Sequence, residues 1–73
     1  MYHSYADIPN PWDRLRWCRY RLGLLQKDVA AMVGIEEWLY QDLESGNFRR
    51  SFSPEIADKL AALYGIPVED ILD

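Results

Sequence analysis

The chain has 73 residues, and 8 Lys plus Arg against 12 Asp plus Glu give a formal net charge of −4 with the single His neutral. A chain of this length forms one modest core, which excludes a multidomain enzyme. Hydrophobic residues make up 49% of the chain and charged residues 27%, proportions typical of a globular domain and unlike those of a disordered or collagen-like chain.

Cysteine, metal and targeting signals are sparse. Cys18 has no second cysteine to pair with, and Cys18 with His3 gives too few ligands for a zinc site, so we expect a reduced interior without metal or cofactor. No nucleophile has a base beside it, which predicts that the chain is not an enzyme. No apolar run reaches the roughly 18 residues of a membrane span, and the N-terminus lacks a signal-peptide pattern. We therefore expect a soluble cytoplasmic protein that does not contact membranes.

The first ten residues are predicted to form an N-terminal arm. Residues 1–10 end in Pro9-Asn10-Pro11, a turn signal that forbids a helix running through it, and the domain is predicted over 11–73. Aromatic residues cluster here. We expect Tyr2, Tyr5 and Trp12 to cover the helices as a lid, with a dimer surface as the alternative.

Start and stop signals predict a first helix over about 11–22. Asn10 suits the N-cap, Pro11 the first helical position, and Gly23 the left-handed residue that ends a helix. The expected buried stripe is Leu15, Cys18 and Leu22.

Two short helices joined by a glycine follow. Val29 and Val33 recur at helical spacing from Gln26, and Gly34 ends this second helix after about two turns. A third helix then continues to Gly46, a further left-handed candidate. Its expected apolar face is Ile35, Leu39, Tyr40 and Leu43.

The remaining residues predict a loop and two more helices. Residues 47–52 have no clear period and are predicted to be a loop. Ser53-Pro54 begins a fourth helix that ends at Gly65, and Pro67 opens a last helical turn. The expected inward side chains of these two helices are Ile56, Leu60, Leu63, Val68, Ile71 and Leu72. The predicted fold class is all-α, a compact five-helix bundle.

Two short helices joined by a tight turn are the helix-turn-helix pattern. Around it, the chain resembles the phage repressor and Cro-type DNA-binding family, also described as xenobiotic-response-element-like. The segments that carry the resemblance are 15–19, 23–26, 29–30, 34–35, 43–46 and 60–66. The resemblance covers about residues 14–73 and implies a lambda-repressor-like fold with the helix-turn-helix unit at about 26–45.

The resemblance also implies a function. It implies a sequence-specific, repressor-like transcriptional regulator that inserts its third helix in the major groove of an operator in double-stranded DNA, acting as a homodimer. It further implies that Arg19 and Glu44 form a structural ion pair between the first and third helices. The candidate DNA-binding residues are Gln26, Lys27, Glu37, Trp38, Gln41, Asp42, Arg49 and Arg50.

The predicted third helix departs from a typical DNA reader in its charge. Residues 35–46 contain four acidic residues and no Lys or Arg, so phosphates would repel this segment. Glu37 can accept from cytosine N4 and Gln41 can pair with adenine. Positive charge would come from Lys27 and from Arg49-Arg50, although a pair of loop arginines also serves solubility alone.

Trp38 is the most informative candidate. We expect it in the core, because a small chain needs its large side chains there. If it points outward, it offers apolar contact to a thymine methyl or anchors a protein partner. The alternative function is therefore a protein interaction module that uses the acidic and aromatic face of the third helix.

Three further expectations concern the helix ends and surface arginines. Leu25 and Glu36 replace the usual Ser or Thr caps of the second and third helices, and a leucine side chain can pack but cannot cap. Arg14 and Arg21 are expected on the solvated side of the first helix.

Overall fold

The structure is a computed structural model, and it describes residues 7–46 and 53–72, the last of these through its backbone only. Five helices follow one another in these ranges: α1 (Pro11–Leu22), α2 (Gln26–Val33), α3 (Glu37–Glu44), α4 (Pro54–Tyr64) and α5 (Glu69–Leu72). No strand occurs within the described ranges, which agrees with the predicted all-α class.

Helix α1 has the predicted bounds but not the predicted N-terminal cap. Gly23 follows it with φ 70°, and the Gly23 amide donates to the Tyr20 carbonyl at 3.0 Å. Asn10 holds the N-cap position, yet its side chain accepts nothing from the helix. Its Nδ2 instead donates to Asp13 Oδ2 at 3.3 Å, so the expected side-chain cap is wrong.

Helix α4 begins with the cap that its sequence predicts, and α5 begins later than expected. Ser53 Oγ accepts from the Ile56 amide at 3.2 Å. The final helix starts at Glu69 and not at Pro67, whose carbonyl accepts from the Asp70 amide at 3.1 Å in the turn before it.

A single hydrophobic cluster receives side chains from all five helices. Its buried members are Leu15, Val29, Ala30, Val33, Tyr40, Leu43, Ala57, Leu60, Ala61 and Ile71. Fully burying one aliphatic side chain of this size contributes about 1.5 to 3 kcal/mol, so the cluster is the main stabilising element of the fold. Leu22, which was expected in it, is 49% exposed, and Leu24 packs against the cluster after the chain turns at Gly23.

Arg14 joins the two ends of the described chain. Its Nε donates to the Ile8 carbonyl at 3.0 Å, and its Nη1 donates to the Asp70 carbonyl in α5 at 2.7 Å. A guanidinium satisfies carbonyls that a helix C-terminus leaves without partners. The expectation that Arg14 is solvated is wrong, because its guanidinium bonds these two carbonyls. The sequence did not show them as partners, since they lie far apart along the chain.

Trp12 lies half-buried at the end of α3. A Cβ added to Gly46 would come within 3.2 Å of Trp12 Cδ2, so the indole packs against the Cα of this glycine. Gly46 has φ 87°, which also favours glycine. The expectations for Tyr2, for Tyr5 and for the loop over 47–52 lie outside the described residues.

Cys18 is a free and buried thiol. Burial raises its pKa to about 11, although the nearby Arg21 charge acts in the opposite direction. Within the described ranges, no helix has both the length and the apolar character needed to cross a membrane. The same ranges hold no group of three His, Cys, Asp or Glu side chains placed to bind a metal ion.

Candidate nucleic-acid interface

The turn between α2 and α3 has three residues and is closed by backbone hydrogen bonds. Gly34 adopts φ 78°, and the Ile35 amide donates back to the Ala30 carbonyl at 2.9 Å. Glu36 then takes an extended conformation and begins α3. Val33 before the turn and Tyr40 after it both enter the core cluster. The two helices therefore pack through their inner sides, and the outer side of α3 faces away from the protein.

The outer side of α3 carries polar and aromatic side chains. Glu37, Trp38, Gln41 and Ser45 are exposed, and Asp42 is half-buried. Ser45 Oγ donates to the Asp42 carbonyl at 2.8 Å and closes the last turn. The candidate residues that sequence analysis placed on α3 thus share one surface, while Tyr40, Leu43 and Glu44 form the buried side.

Glu37 and Gln41 are joined across one helical turn. Gln41 Nε2 donates to Glu37 Oε2 at 3.2 Å. Residues four apart on a helix are neighbours, and a hydrogen bond between them restricts both side chains. This pair lies in the first two turns of α3, the part of a recognition helix that reaches base edges in helix-turn-helix complexes.

Trp38 points outward, with 57% of its surface exposed. The expectation that it belongs to the core is wrong. The reason is helical phase, because Tyr40 and Leu43 fix the buried side of α3 and residue 38 falls on the opposite side. An exposed indole between carboxylates is available to a ligand.

Glu44, at the inner end of α3, is the centre of a buried polar network. Its carboxylate is 1% exposed and receives Arg19 in a two-pronged contact, Nε to Oε2 at 2.7 Å and Nη2 to Oε1 at 3.0 Å. Arg19 is itself 6% exposed and also donates through Nη1 to the Leu24 carbonyl at 3.1 Å. The ion pair therefore links α1, the turn that follows α1, and α3.

The network determines the ionisation of both partners. Burial alone would raise the pKa of the Glu44 carboxyl, but hydrogen bonds from Arg19, Tyr40 and Gln26 outweigh it and hold the pKa below its usual range. The hydrogen bond to Glu44 raises the pKa of Arg19, against the opposing effect of burial. Both groups are thus charged at neutral pH and satisfy each other.

Gln26, the first residue of α2, is part of the same network. Its Nε2 donates to Glu44 Oε1 at 3.1 Å, and the side chain is half-buried. An amide nitrogen has two hydrogens, and this contact uses one of them. The network thereby fixes the start of α2 relative to α3, and within residues 7–46 and 53–72 it leaves one donor of Gln26 for a ligand.

A pair of tyrosines continues the network towards α4. The hydroxyls of Tyr40 and Tyr64 are 2.5 Å apart. Burial raises the pKa of Tyr40 and of Tyr64 above the usual range, which keeps both hydroxyls protonated. Tyr40 also bonds Glu44, so the contacts reach from α1 through α3 to α4.

The basic side chains of α1 all have partners. Arg16 Nη2 donates to the Glu44 carbonyl at 3.0 Å, and the Arg21 guanidinium lies 5.4 Å from the centroid of the Trp17 ring. Arg21 is nevertheless exposed, as expected. Lys27, at the second position of α2, is exposed and makes no ion pair with any residue that the structure describes. Arg49 and Arg50 lie outside the described residues.

The starts of α2 and α3 lack side-chain caps. The carbonyls of Leu25 and Glu36 accept from amides in the first turn of their helices, but neither side chain accepts a hydrogen bond. The Leu25 amide donates to Asp28 Oδ2 at 3.0 Å, which is one of the two hydrogen bonds of a capping box. The other bond needs an acceptor on the cap side chain, and leucine has none. Leu25 is 58% exposed, so most of its side chain is not packed against the protein. Amides at an uncapped helix start are available to an anion.

Sequence reasoning missed several members of this site. Arg16 was not singled out, yet it lies 3.6 Å from Glu44 through Nε and also contacts Asp13 at 3.5 Å. The Tyr40 and Tyr64 contact was missed as well. The available signal was the spacing of Arg16 three residues before Arg19, which places both guanidiniums on one side of α1.

Two short helices packed at a glycine turn, with the outer side of the second left free, define a helix-turn-helix domain. The chain belongs to this family, because the helix-turn-helix family model matches residues 15–71. The match is of the Cro/C1 type, a class of DNA-binding transcription regulators.

Two curated proteins resemble the chain. The HTH-type transcriptional regulator DdrOP3 of Deinococcus deserti is 41% identical over 61 residues, which are 84% of this chain and 46% of that protein. The isomerizing glutamine–fructose-6-phosphate aminotransferase of Methanocaldococcus jannaschii is 38% identical over 60 residues, which are 82% of this chain and 5% of that protein. The chain spans less than half the length of either relative. No solved structure gives a significant match.

Proposed function

We propose that the chain is the sequence-specific DNA-binding domain of a repressor-like transcriptional regulator, and that it inserts α3 into the major groove of an operator. The observation that carries the proposal is the free outer side of α3, held at a fixed angle to α2 by the Glu44 network. A helix with its side chains is about 10 to 12 Å wide, and the major groove is about 12 Å wide.

The positions of the charges support sequence-specific binding with weak non-specific affinity for DNA. The acidic outer side of α3 is repelled by phosphates, so contacts to the backbone come from other parts of the domain. We assign them to Lys27, to the second amide hydrogen of Gln26, and to Arg49 and Arg50. About three cationic contacts per domain give a modest salt dependence, with a slope of roughly −0.9 for each neutralised phosphate.

We further propose that two copies bind a two-fold operator in the cytoplasm. Helix-turn-helix dimers contact half-sites about 34 Å apart. The described part of the domain measures 29 × 24 × 20 Å, so two copies fit side by side at this spacing without overlap. The dimer contact itself is a prediction.

An unbiased selection of duplexes from a random pool at about 100 mM salt tests the proposal. We expect one motif to be enriched, with Lys27→Ala weakening binding to it across related sequences. Lys59→Ala is the matched control, because Lys59 lies on α4 and pairs with Glu55 at 3.6 Å. If the folded chain enriches no motif, or if both lysine variants behave alike, the proposal loses its support.

The exposure of Trp38 favours one second function, a protein interaction module on the same fold. An exposed indole on the same side of α3 as Glu37 and Asp42 resembles the aromatic anchors of protein interfaces. Salt distinguishes the two functions, because DNA binding weakens with ionic strength in proportion to the phosphates that are neutralised, whereas a Trp-centred interface depends little on salt. Replacing Glu37 by Gln and Asp42 by Asn removes two charges that phosphates repel, so the change is expected to strengthen binding to DNA of unselected sequence and to weaken the protein interaction.

A further inference from the structure

We infer that Glu37 and Gln41 act as one hydrogen-bonded acceptor unit that selects cytosine at one base pair of the operator. The inference rests on the proposed DNA-binding function and specifies which base edge this part of α3 fits. Its basis is the contact between Gln41 Nε2 and Glu37 Oε2 at 3.2 Å on the exposed side of the helix.

The chemistry of this contact fixes the orientation of the Gln41 amide. An ionised carboxylate accepts hydrogen bonds and cannot donate them. The amide nitrogen of Gln41 must therefore face Glu37, and the amide oxygen must face away from it. The pair then presents two acceptors outward, the second carboxylate oxygen of Glu37 and the carbonyl oxygen of Gln41.

Two outward acceptors and a negative charge favour a base that offers a donor. In the major groove, guanine presents the acceptors N7 and O6, and thymine presents O4. Adenine presents the N6 amino donor beside the N7 acceptor, which repels a carboxylate. Cytosine presents its N4 amino group without an acceptor on the same base edge. Glu37 therefore discriminates in favour of cytosine, and Gln41 holds its carboxylate in place.

The same logic predicts the effect of an isosteric change. Glu37→Gln keeps the size and shape of the side chain but adds a donor, and an amide pairs with adenine through N6 and N7 together. The preferred base at this one position should change from cytosine to adenine, by about tenfold or more in relative affinity. The other positions of the motif should stay as they are.

Parallel selections from a random pool with the unaltered chain, Glu37→Gln and Glu55→Gln test the inference. Glu55→Gln is the matched control, since it removes the same charge from an exposed side chain on α4. At one position of the selected motif, we expect the preferred base to change from cytosine to adenine in Glu37→Gln and to remain cytosine in Glu55→Gln. If Glu37→Gln selects the same motif as the unaltered chain, the inference is wrong although the chain binds DNA. If no chain selects a motif, the proposed function fails and the inference fails with it.

A second measurement needs no altered protein. A duplex of the selected sequence is made with N4-methylcytosine at the motif position assigned to Glu37. In a paired base this methyl group replaces the hydrogen that points into the major groove, so Glu37 loses its donor. We expect the dissociation constant of the unaltered chain to rise by about tenfold or more. An unchanged dissociation constant overturns the inference.

Discussion

Removing the Glu44 carboxylate should destabilise the protein more than removing any exposed charge. Glu44→Ala would leave the Arg19 guanidinium, which is 6% exposed, without its two-pronged partner. Gln26 and Tyr40 would also lose an acceptor. The cost therefore combines a buried unpaired charge with unsatisfied neutral donors.

The expected magnitude is a large part of the total stability. Breaking a buried ion pair from one side costs about 3 to 5 kcal/mol. At about 0.05 to 0.15 kcal/mol per residue, a chain of 73 residues has a free energy of unfolding of about 4 to 11 kcal/mol. Glu44→Ala should thus unfold at a low denaturant concentration. Glu44→Gln keeps the shape of the side chain, so its unfolding midpoint should lie between those of Glu44→Ala and the unaltered chain.

Urea unfolding followed by circular dichroism measures the effect, and a double-mutant cycle isolates the pair. We expect Arg19→Ala and Glu44→Ala to show a coupling energy of about 2 to 3 kcal/mol. Arg16→Ala is the control partner, because Arg16 is half exposed and its Nε lies 3.6 Å from Glu44 Oε1. Its coupling should stay below about 1 kcal/mol. Equal couplings, or a coupling of Arg19 below about 0.5 kcal/mol, would refute the reasoning.

Three other predictions concern pH, thiol reactivity and the contact at the end of α3. The folded-state pKa of Glu44 is lowered from 4.5, so its contribution to the free energy of unfolding should be complete above that pH and should be lost as the pH falls below it. Urea midpoints measured between pH 6 and 3 should therefore fall in the unaltered chain more than in Glu44→Gln, and an equal fall in both would contradict the prediction. Cys18, with a pKa raised to about 11 by burial, should react with a disulfide reagent at pH 8 only after unfolding, and rapid labelling of the native protein would contradict this. Gly46→Ala should cost more than Gly23→Ala, because both have positive φ but a Cβ at Gly46 would lie 3.2 Å from Trp12 while the one at Gly23 meets nothing within 4 Å; equal thermal midpoints would show that the indole contact is unimportant.

Helix bounds were predictable because local chemistry sets them. Gly23, Gly34 and Gly65 adopt positive φ and end α1, α2 and α4, and this conformation is costly for other residues. Ser53 caps α4 through its own hydroxyl. Each of these features depends on a few neighbouring residues, so the sequence contains the information directly.

The side-chain partners of distant residues were not predictable in the same way. Arg14 bonds carbonyls at positions 8 and 70, and no local pattern shows that these two acceptors meet. Trp38 was expected in the core on size alone, whereas its helical phase relative to Tyr40 places it outside. Size is a weaker guide than periodicity when the two disagree.

The candidate site was predictable as a surface but not as a set of contacts. Glu37 and Gln41 were candidate base-reading residues of α3, and both are exposed on its outer side. That Gln41 restrains Glu37, and that Gln26 bonds Glu44, depends on rotamers chosen by the packed structure. The roles of Arg49 and Arg50 stay predictions.

The most direct test of the central claim is a titration of the isotopically labelled protein with the selected duplex, followed by amide chemical shifts. We expect the largest changes over residues 25–42, with a shift of the exposed indole N–H of Trp38 and little change in α4. Shifts confined to α4 and α5, or none at a tenfold excess of duplex, would contradict the claim that α3 is the DNA-reading element.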